Sequence, residues 1–234
     1  RAVSLRQTLG VARALAELID AVLPTTCICC GTLGPHICLE CRAKFEPKPF
    51  PVGRGALTGF AVFELQEPIE QLLRAIKDSN RTAALSEVAE PMGATILSRF
   101  SAQWLQTPSS AWPRLVALPS SKRALRRRGY DLNRMLARRV ARLTGLQLET
   151  GLSFIRQPDD QRGLGQGDRH ANLSNSMVFH KRSASARFIL IDDVVTTGST
   201  LVEAARAIGE AGAEVLGFCV FAETRLLQDA KNEK

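Results

Sequence analysis

Short runs with a period near two take turns along this chain with longer runs whose apolar positions recur at helical spacing. Residues 55–65, GALTGFAVFEL, alternate as a half-buried strand does. Residues 68–77 and 81–100 carry apolar side chains every three or four positions, which predicts two helices. RLVALP at 114–119 has the length of a strand, and helical, basic sequence runs from it to Gly145. GLSFIR, SMVFHK and ARFILIDDVV, at 151–156, 176–181 and 186–195, read as further strands. STLVEAARAIGEAGA at 199–213 reads as a helix and EVLGFCVFAE at 214–223 as the closing strand. Strands separated by helices predict an α/β domain with a largely parallel sheet.

Upstream the pattern changes. VARALAELIDAVL at 11–23 is apolar, but Glu17 and Asp20 interrupt it at helical spacing, so it is expected to be an amphipathic helix rather than a leader. Residues 42–55, with prolines at 47, 49 and 51, read as a connector. This divides the 234 residues into an N-terminal module over 1–55 and a larger domain over 56–234. The chain is 45% apolar and 23% charged, enough to bury a core, which excludes a disordered chain. Its longest apolar run falls short of the ~20 residues of a membrane span.

Between Cys27 and Cys41 the chain reads CICCGTLGPHICLEC, holding five of its six cysteines. Cys27 with Cys30, and Cys38 with Cys41, form two Cys-x-x-Cys pairs that can converge four thiolates on one tetrahedral zinc ion. Two disulfides are the competing reading. With the N-terminal run expected to be a helix rather than a leader, and Cys219 solitary, a reducing, cytoplasmic setting and structural zinc are expected. Cys29 is left over, and His36 is an alternative fourth ligand.

The charge is local. Nine basic residues and one acid, Asp131, lie within 122–142, so the whole net charge of +8 resides there. Such a stretch suits a polyanion, whether a phosphate-rich small molecule or DNA. Aromatic residues are only 6% of the chain, and Tyr130 alone interrupts the basic stretch, which argues against a base-stacking platform.

The chemistry gathers at residues 189–200, ILIDDVVTTGST. Ile189, Leu190 and Ile191 predict a strand buried on both faces, with the carboxylates of Asp192 and Asp193 at its end, where ligands of open α/β sheets bind. Thr196, Thr197, Gly198, Ser199 and Thr200 then lead into a helix. Backbone N–H groups, hydroxyls and the positive helix end make a phosphate cradle of that turn. Gly198 is expected to let the backbone approach the phosphate. Acids beside a phosphate cradle suit a sugar phosphate, the acids accepting its hydroxyls. No GxxxxGK[ST] sequence is present, and the glycines of GLGQGDRH follow no strand.

IDDVVTTGST resembles the ribose-phosphate signature of type I phosphoribosyltransferases, which bind phosphoribosyl pyrophosphate with Mg2+. With the two Cys-x-x-Cys pairs, ALPSSKRALRRRGYD and Arg156, Gln161, Arg169 and Asn172 in the following loop, nearly all of the chain past residue 15 resembles the ComF family, named for competence and the use of external DNA. Lys77 falls where that family keeps a lysine. The resemblance implies that Asp192 and Asp193 face the ribose hydroxyls and that 196–200 hold the 5′-phosphate. It also implies that Ser120, Ser121 and Lys122, with Arg127 or Arg128, approach the pyrophosphate, and that Arg162 and Arg169 lie on a closing loop. Asp131 and Leu132 depart from the family's Asn-Gln, and Gln166 from a basic residue. Phosphoribosyl transfer to an acceptor the sequence does not identify is the implied activity. The alternative is a non-catalytic protein that binds DNA or a protein partner in DNA processing through 122–142 and uses the ribose-phosphate site as a sensor.

Overall fold

A computed structural model describes residues 25–104, 106–156, 173–180 and 186–224. The predicted N-terminal helix lies outside the described residues, as does the loop carrying Arg162, Gln166 and Arg169. The chain divides into two compact units, Arg1–Glu46 and Pro47–Lys234. In the first, an isolated bridge between Thr26 and Leu33 precedes a single helical turn, α1 (Leu39–Arg42).

The second unit is an α/β domain. A six-stranded sheet has the order β1-β2-β8-β7-β3-β4 and is parallel except for the β1–β2 hairpin. Its strands are β1 (Phe50–Arg54), β2 (Leu57–Glu64), β3 (Arg114–Ala117), β4 (Leu148–Glu149), β7 (Arg187–Val195) and β8 (Glu214–Glu223). Helices α2 (Ile69–Asp78) and α3 (Leu85–Phe100) connect β2 to β3. Helices α4 (Lys122–Arg128) and α5 (Leu132–Thr144) lead from β3 to β4, and α6 (Ser199–Glu210) leads from β7 to β8. Among the described residues, β5 (Leu152–Phe154) and β6 (Met177–Phe179) pair only with each other, as an antiparallel ribbon outside the main sheet.

The alternating and helical runs appear close to where the pattern places them, with three differences. The proline-bearing connector contains β1, whose Val52 and Arg54 point inward while their neighbours are exposed. Residues 122–144 form two helices, because Gly129 at φ +79° closes α4 and Asp131 opens α5 by accepting the N–H of Arg134. Finally, β7 runs on past the two acids to Val195, paired there with β8, whereas its pairing with β3 stops at Ile191.

Ile189, Leu190 and Ile191 are fully buried, as a central parallel strand requires. Phe188 and Leu190 join Leu201, Ala204 and Ile208 of α6 in one apolar cluster. Among the described residues no helix is long and apolar enough to cross a membrane.

The strand order decides where a ligand can sit. From β7 the chain passes through α6 to β8 on one side, and from β3 through α4 and α5 to β4 on the other. The adjacent carboxyl ends of β7 and β3 therefore flank the point where the winding reverses, which is where open α/β sheets form their ligand crevice.

Candidate functional site

Asp192 and Asp193 stand where β7 has lost β3 as a neighbour but still has β8. Leu118, one residue past β3, makes the last link across by donating its N–H to the Ile191 carbonyl at 3.0 Å. The two carboxylates are held differently. Asp192 Oδ1 accepts from Asn133 Nδ2 at 2.8 Å and from the Asp193 N–H at 3.0 Å. Asn133, in the first turn of α5, also donates to the Leu118 carbonyl at 3.2 Å, so it ties the ends of both strands together. Asp193 Oδ2 lies 2.7 Å from Lys77 Nζ near the end of α2. That end is itself fastened by Tyr130, whose hydroxyl donates to the Ile76 carbonyl at 2.6 Å.

Asp192 holds its proton far above the ordinary carboxylate range. Burial of the carboxyl is the first cause and the charge of Asp193 the second; together they outweigh Lys77, the Asp193 N–H and Asn133 and push it up to about 8. A raised folded pKa costs stability as pH climbs from the unfolded value toward the folded one. Asp192→Asn is therefore expected to be more stable than wild type by on the order of 1 kcal/mol at pH 8, discounted for partial solvent access, and by much less at pH 5. Thermal melts at the two pH values check this, and a difference that does not change with pH would refute it.

The turn after β7 is pre-shaped. Gly198 adopts φ +76° and caps α6. Thr197 and Ser199 share a hydroxyl–hydroxyl hydrogen bond of 3.0 Å, and Thr197 Oγ1 accepts the Ser199 N–H at 3.4 Å. Thr196 is exposed, Thr197 and Thr200 half-buried, and Ser199 buried. Two residues that belong to no sequence motif hold this turn from beneath. Arg54, buried at the end of β1, donates from Nε to the Thr196 carbonyl at 2.8 Å and pairs with Glu223 at the end of β8. A Cβ on Gly198 would lie 2.4–2.7 Å from carbons of the Arg54 side chain. The glycine is thus required by Arg54 packed beneath it, where the sequence pointed to a phosphate above it.

Across the crevice, Ser120, Ser121 and Lys122 follow β3. Ser121 accepts the Ala124 N–H and so caps α4, and Ser120 donates to Asp131 Oδ1 at 2.9 Å. The departure at Asp131 therefore serves the fold, holding Ser120 and opening α5. Arg127 lies 3.4 Å from Asp78. Arg128 is half-buried, and its Nε is buried with no hydrogen-bond partner among the described residues. Of the residues that sequence patterns did not single out, Glu223 had a signal, a carboxylate ending an apolar strand like those of β7; Asn133 had none.

In the other unit, the Sγ atoms of Cys27, Cys30, Cys38 and Cys41 all lie within 4.8 Å of one another. Cys30 and Cys38 are 3.7 Å apart, close to the edge of about 3.8 Å that Zn–S bonds of ~2.3 Å give in a tetrahedron. Burial opposes ionisation of Cys27, but the N–H groups of Cys38, Cys30 and Cys29 outweigh it and hold the thiol down at about 6. Cys29 lies outside the quartet. Burial first, and then the charge of Cys27, push it up to about 11. The four sulfurs could hold zinc. His36 is not among them.

Residues 124–234 match the family model described as a phosphoribosyl transferase domain. The chain is 27% identical over 199 residues to the DNA utilization protein YhgH of Escherichia coli, covering 83% of this chain and 84% of that protein. It is 34% identical over 92 residues to Competence protein F of Haemophilus influenzae, covering 38% and 40%. Among solved structures it is similar to adenine phosphoribosyltransferase from Thermoanaerobacter pseudethanolicus, with 13% identity, a TM-score of 0.42 and coverage of 84% and 94%.

Proposed function

The chain is a ComF-like member of the type I phosphoribosyltransferases, and from that premise we propose that Asp192, Asp193 and residues 196–200 bind the ribose 5-phosphate part of phosphoribosyl pyrophosphate. The observation that carries this is the meeting, at the reversal point of the sheet, of an acid pair with a hydroxyl-bearing turn that opens a helix. The oxygens of the two carboxyl groups, Asp192 protonated or not, can accept sugar hydroxyls, and N–H groups with hydroxyls hold a phosphate; neither group alone selects a ribose phosphate.

Ser120, Ser121, Lys122 and Arg128 are the candidates for the pyrophosphate, and Arg162 and Arg169 remain proposals from sequence alone. The carboxyl oxygens of Asp192 and Asp193 are hard donors that would suit Mg2+ bound with the diphosphate, and such an ion would supply charge neutralisation on the leaving group. The protein's own part in transfer would be to order the ribose through Asp192 and Asp193 and to keep cations beside the departing pyrophosphate. We assign the four-cysteine cluster to a structural zinc ion. The deciding experiment is calorimetric titration with phosphoribosyl pyrophosphate and Mg2+, then a screen for pyrophosphate release over bases and amines. No binding at millimolar ligand overturns the reading; binding without release against any acceptor favours a sensor over an enzyme.

The exposed basic residues support a second reading, binding of a DNA backbone in competence. Lys122, Arg123, Arg126, Arg134, Arg138 and Arg142 are all exposed, whereas Arg139 turns back toward the Thr82 carbonyl. Charge reversal at Arg126 and Arg138 is expected to weaken DNA binding and to leave ribose 5-phosphate binding intact. The slope of log affinity against log salt should flatten by about one for each phosphate that is no longer neutralised. Equal affinity of wild type and the reversed variant in a salt titration would remove this reading.

A further inference from the structure

Arg54 and Glu223 form a buried ion pair that neither the acid pair nor the hydroxyl turn accounts for. Arg54 is 7% exposed and Glu223 9%. The two come from the ends of β1 and β8, which are not neighbours, since β2 lies between them. Every nitrogen of the guanidinium is engaged: Nε with the Thr196 carbonyl, one terminal nitrogen with the Gly53 carbonyl and the other with Glu223. Its charge is therefore matched by Glu223 and is not offered to a ligand. What Arg54 does offer is a fixed donor under the first residue of the turn and an aliphatic stem under Gly198.

Burying such a pair is a poor way to gain stability. Desolvation cancels most of the attraction, and apolar residues of similar volume commonly serve as well or better. A turn that must present its N–H groups to a phosphate has a different need. Its carbonyls must point away from the phosphate and stay there, because a carbonyl turned inward would repel the anion. Arg54 holds the Thr196 carbonyl on the far side, and Glu223 holds Arg54.

We infer that the Arg54–Glu223 pair is a positioning device that locks the 196–200 turn in its phosphate-accepting form. The assignment of a phosphate to this turn rests on the function proposed above; the locking of the turn does not.

The test compares the intact wild-type chain with Arg54→Lys and with the double variant Arg54→Met/Glu223→Met, which removes both charges and leaves neither buried alone. Three quantities are read: the denaturant midpoint, hydrogen exchange of the peptide spanning 194–202 without ligand, and calorimetric affinities for ribose 5-phosphate and for pyrophosphate with Mg2+. The double variant is expected to keep the wild-type midpoint, to exchange faster across 194–202, and to bind ribose 5-phosphate about tenfold more weakly while its pyrophosphate affinity stays put. Arg54→Lys, which keeps a charge for Glu223 but lacks the planar fork, is expected to loosen the turn in the same direction. A pair that merely stabilises the fold would instead lower the midpoint and leave exchange in 194–202 in step with the rest of the sheet, and that result overturns the inference. Unchanged exchange in the double variant overturns it as well. If wild type takes up no ribose 5-phosphate, the ligand assignment falls, and the exchange comparison alone decides for or against the locking of the turn.

Discussion

Treating the intact chain with a strong chelator is expected to release one zinc ion and unfold residues 25–46 while the sheet domain keeps its thermal transition. Among the described residues before Pro47, only Cys27, Ile28, Ile37 and Cys41 are buried apolar side chains, and two of them belong to the thiol quartet. Two isoleucines supply about 3–6 kcal/mol of burial, whereas structural zinc in small modules supplies about 10–16 kcal/mol. The metal therefore dominates, and the module should follow it. Cys27→Ser is expected to abolish retention of zinc, because Cys27 combines burial with three backbone N–H groups that favour its thiolate. Cys29→Ser should leave zinc content at one per chain. Elemental analysis combined with limited proteolysis of 25–46 reads both outcomes. Metal-free protein whose four thiols prove oxidised in pairs would return the cluster to the disulfide reading.

The sequence was most legible where one physical demand acts alone. Ile189, Leu190 and Ile191 had to be central because nothing polar interrupts them, and the cysteine spacing had to converge because only two tight pairs exist. Legibility failed where two demands compete. Residues 42–55 carry the prolines of a connector, yet an edge strand tolerates proline, so β1 forms and delivers Arg54 to the turn. The basic stretch has unbroken helical periodicity, and its division rests on one left-handed glycine and one aspartate cap. The strand over 186–195 was legible as one run, whereas the two carboxylates pointed to its end at Asp192 and Asp193; pairing with β8 carries it past them to Val195. Asn133 and Lys77 reach the acids from helices remote in sequence, through approaches that only the folded chain creates.

Gly198 separates two physical accounts of the same turn, and Gly198→Ala is expected to cost about 2–4 kcal/mol of stability with no ligand present. Two terms contribute. A left-handed backbone at φ +76° costs an L-residue roughly 1–2 kcal/mol. The added Cβ also falls 2.4–2.7 Å from Cβ, Cγ and Cδ of Arg54, whose far end is held by Thr196 and Glu223, so relief requires the backbone of β1 or of the turn to shift. If the glycine served only to admit a phosphate, the second term would vanish and the penalty would appear mainly as lost affinity. Denaturant unfolding of the ligand-free variant tells the two apart, and a loss of stability no larger than the roughly 1–2 kcal/mol of the backbone alone would show that Arg54 leaves room. A double-mutant cycle sharpens the result, because residues that touch are coupled. Arg54→Gly in the Gly198→Ala background is expected to cost less than the sum of the single changes, since only glycine at 54 removes all three crowding carbons, Cβ included. Strict additivity would mean that the glycine answers to backbone conformation alone, and that the turn and the buried pair beneath it are independent.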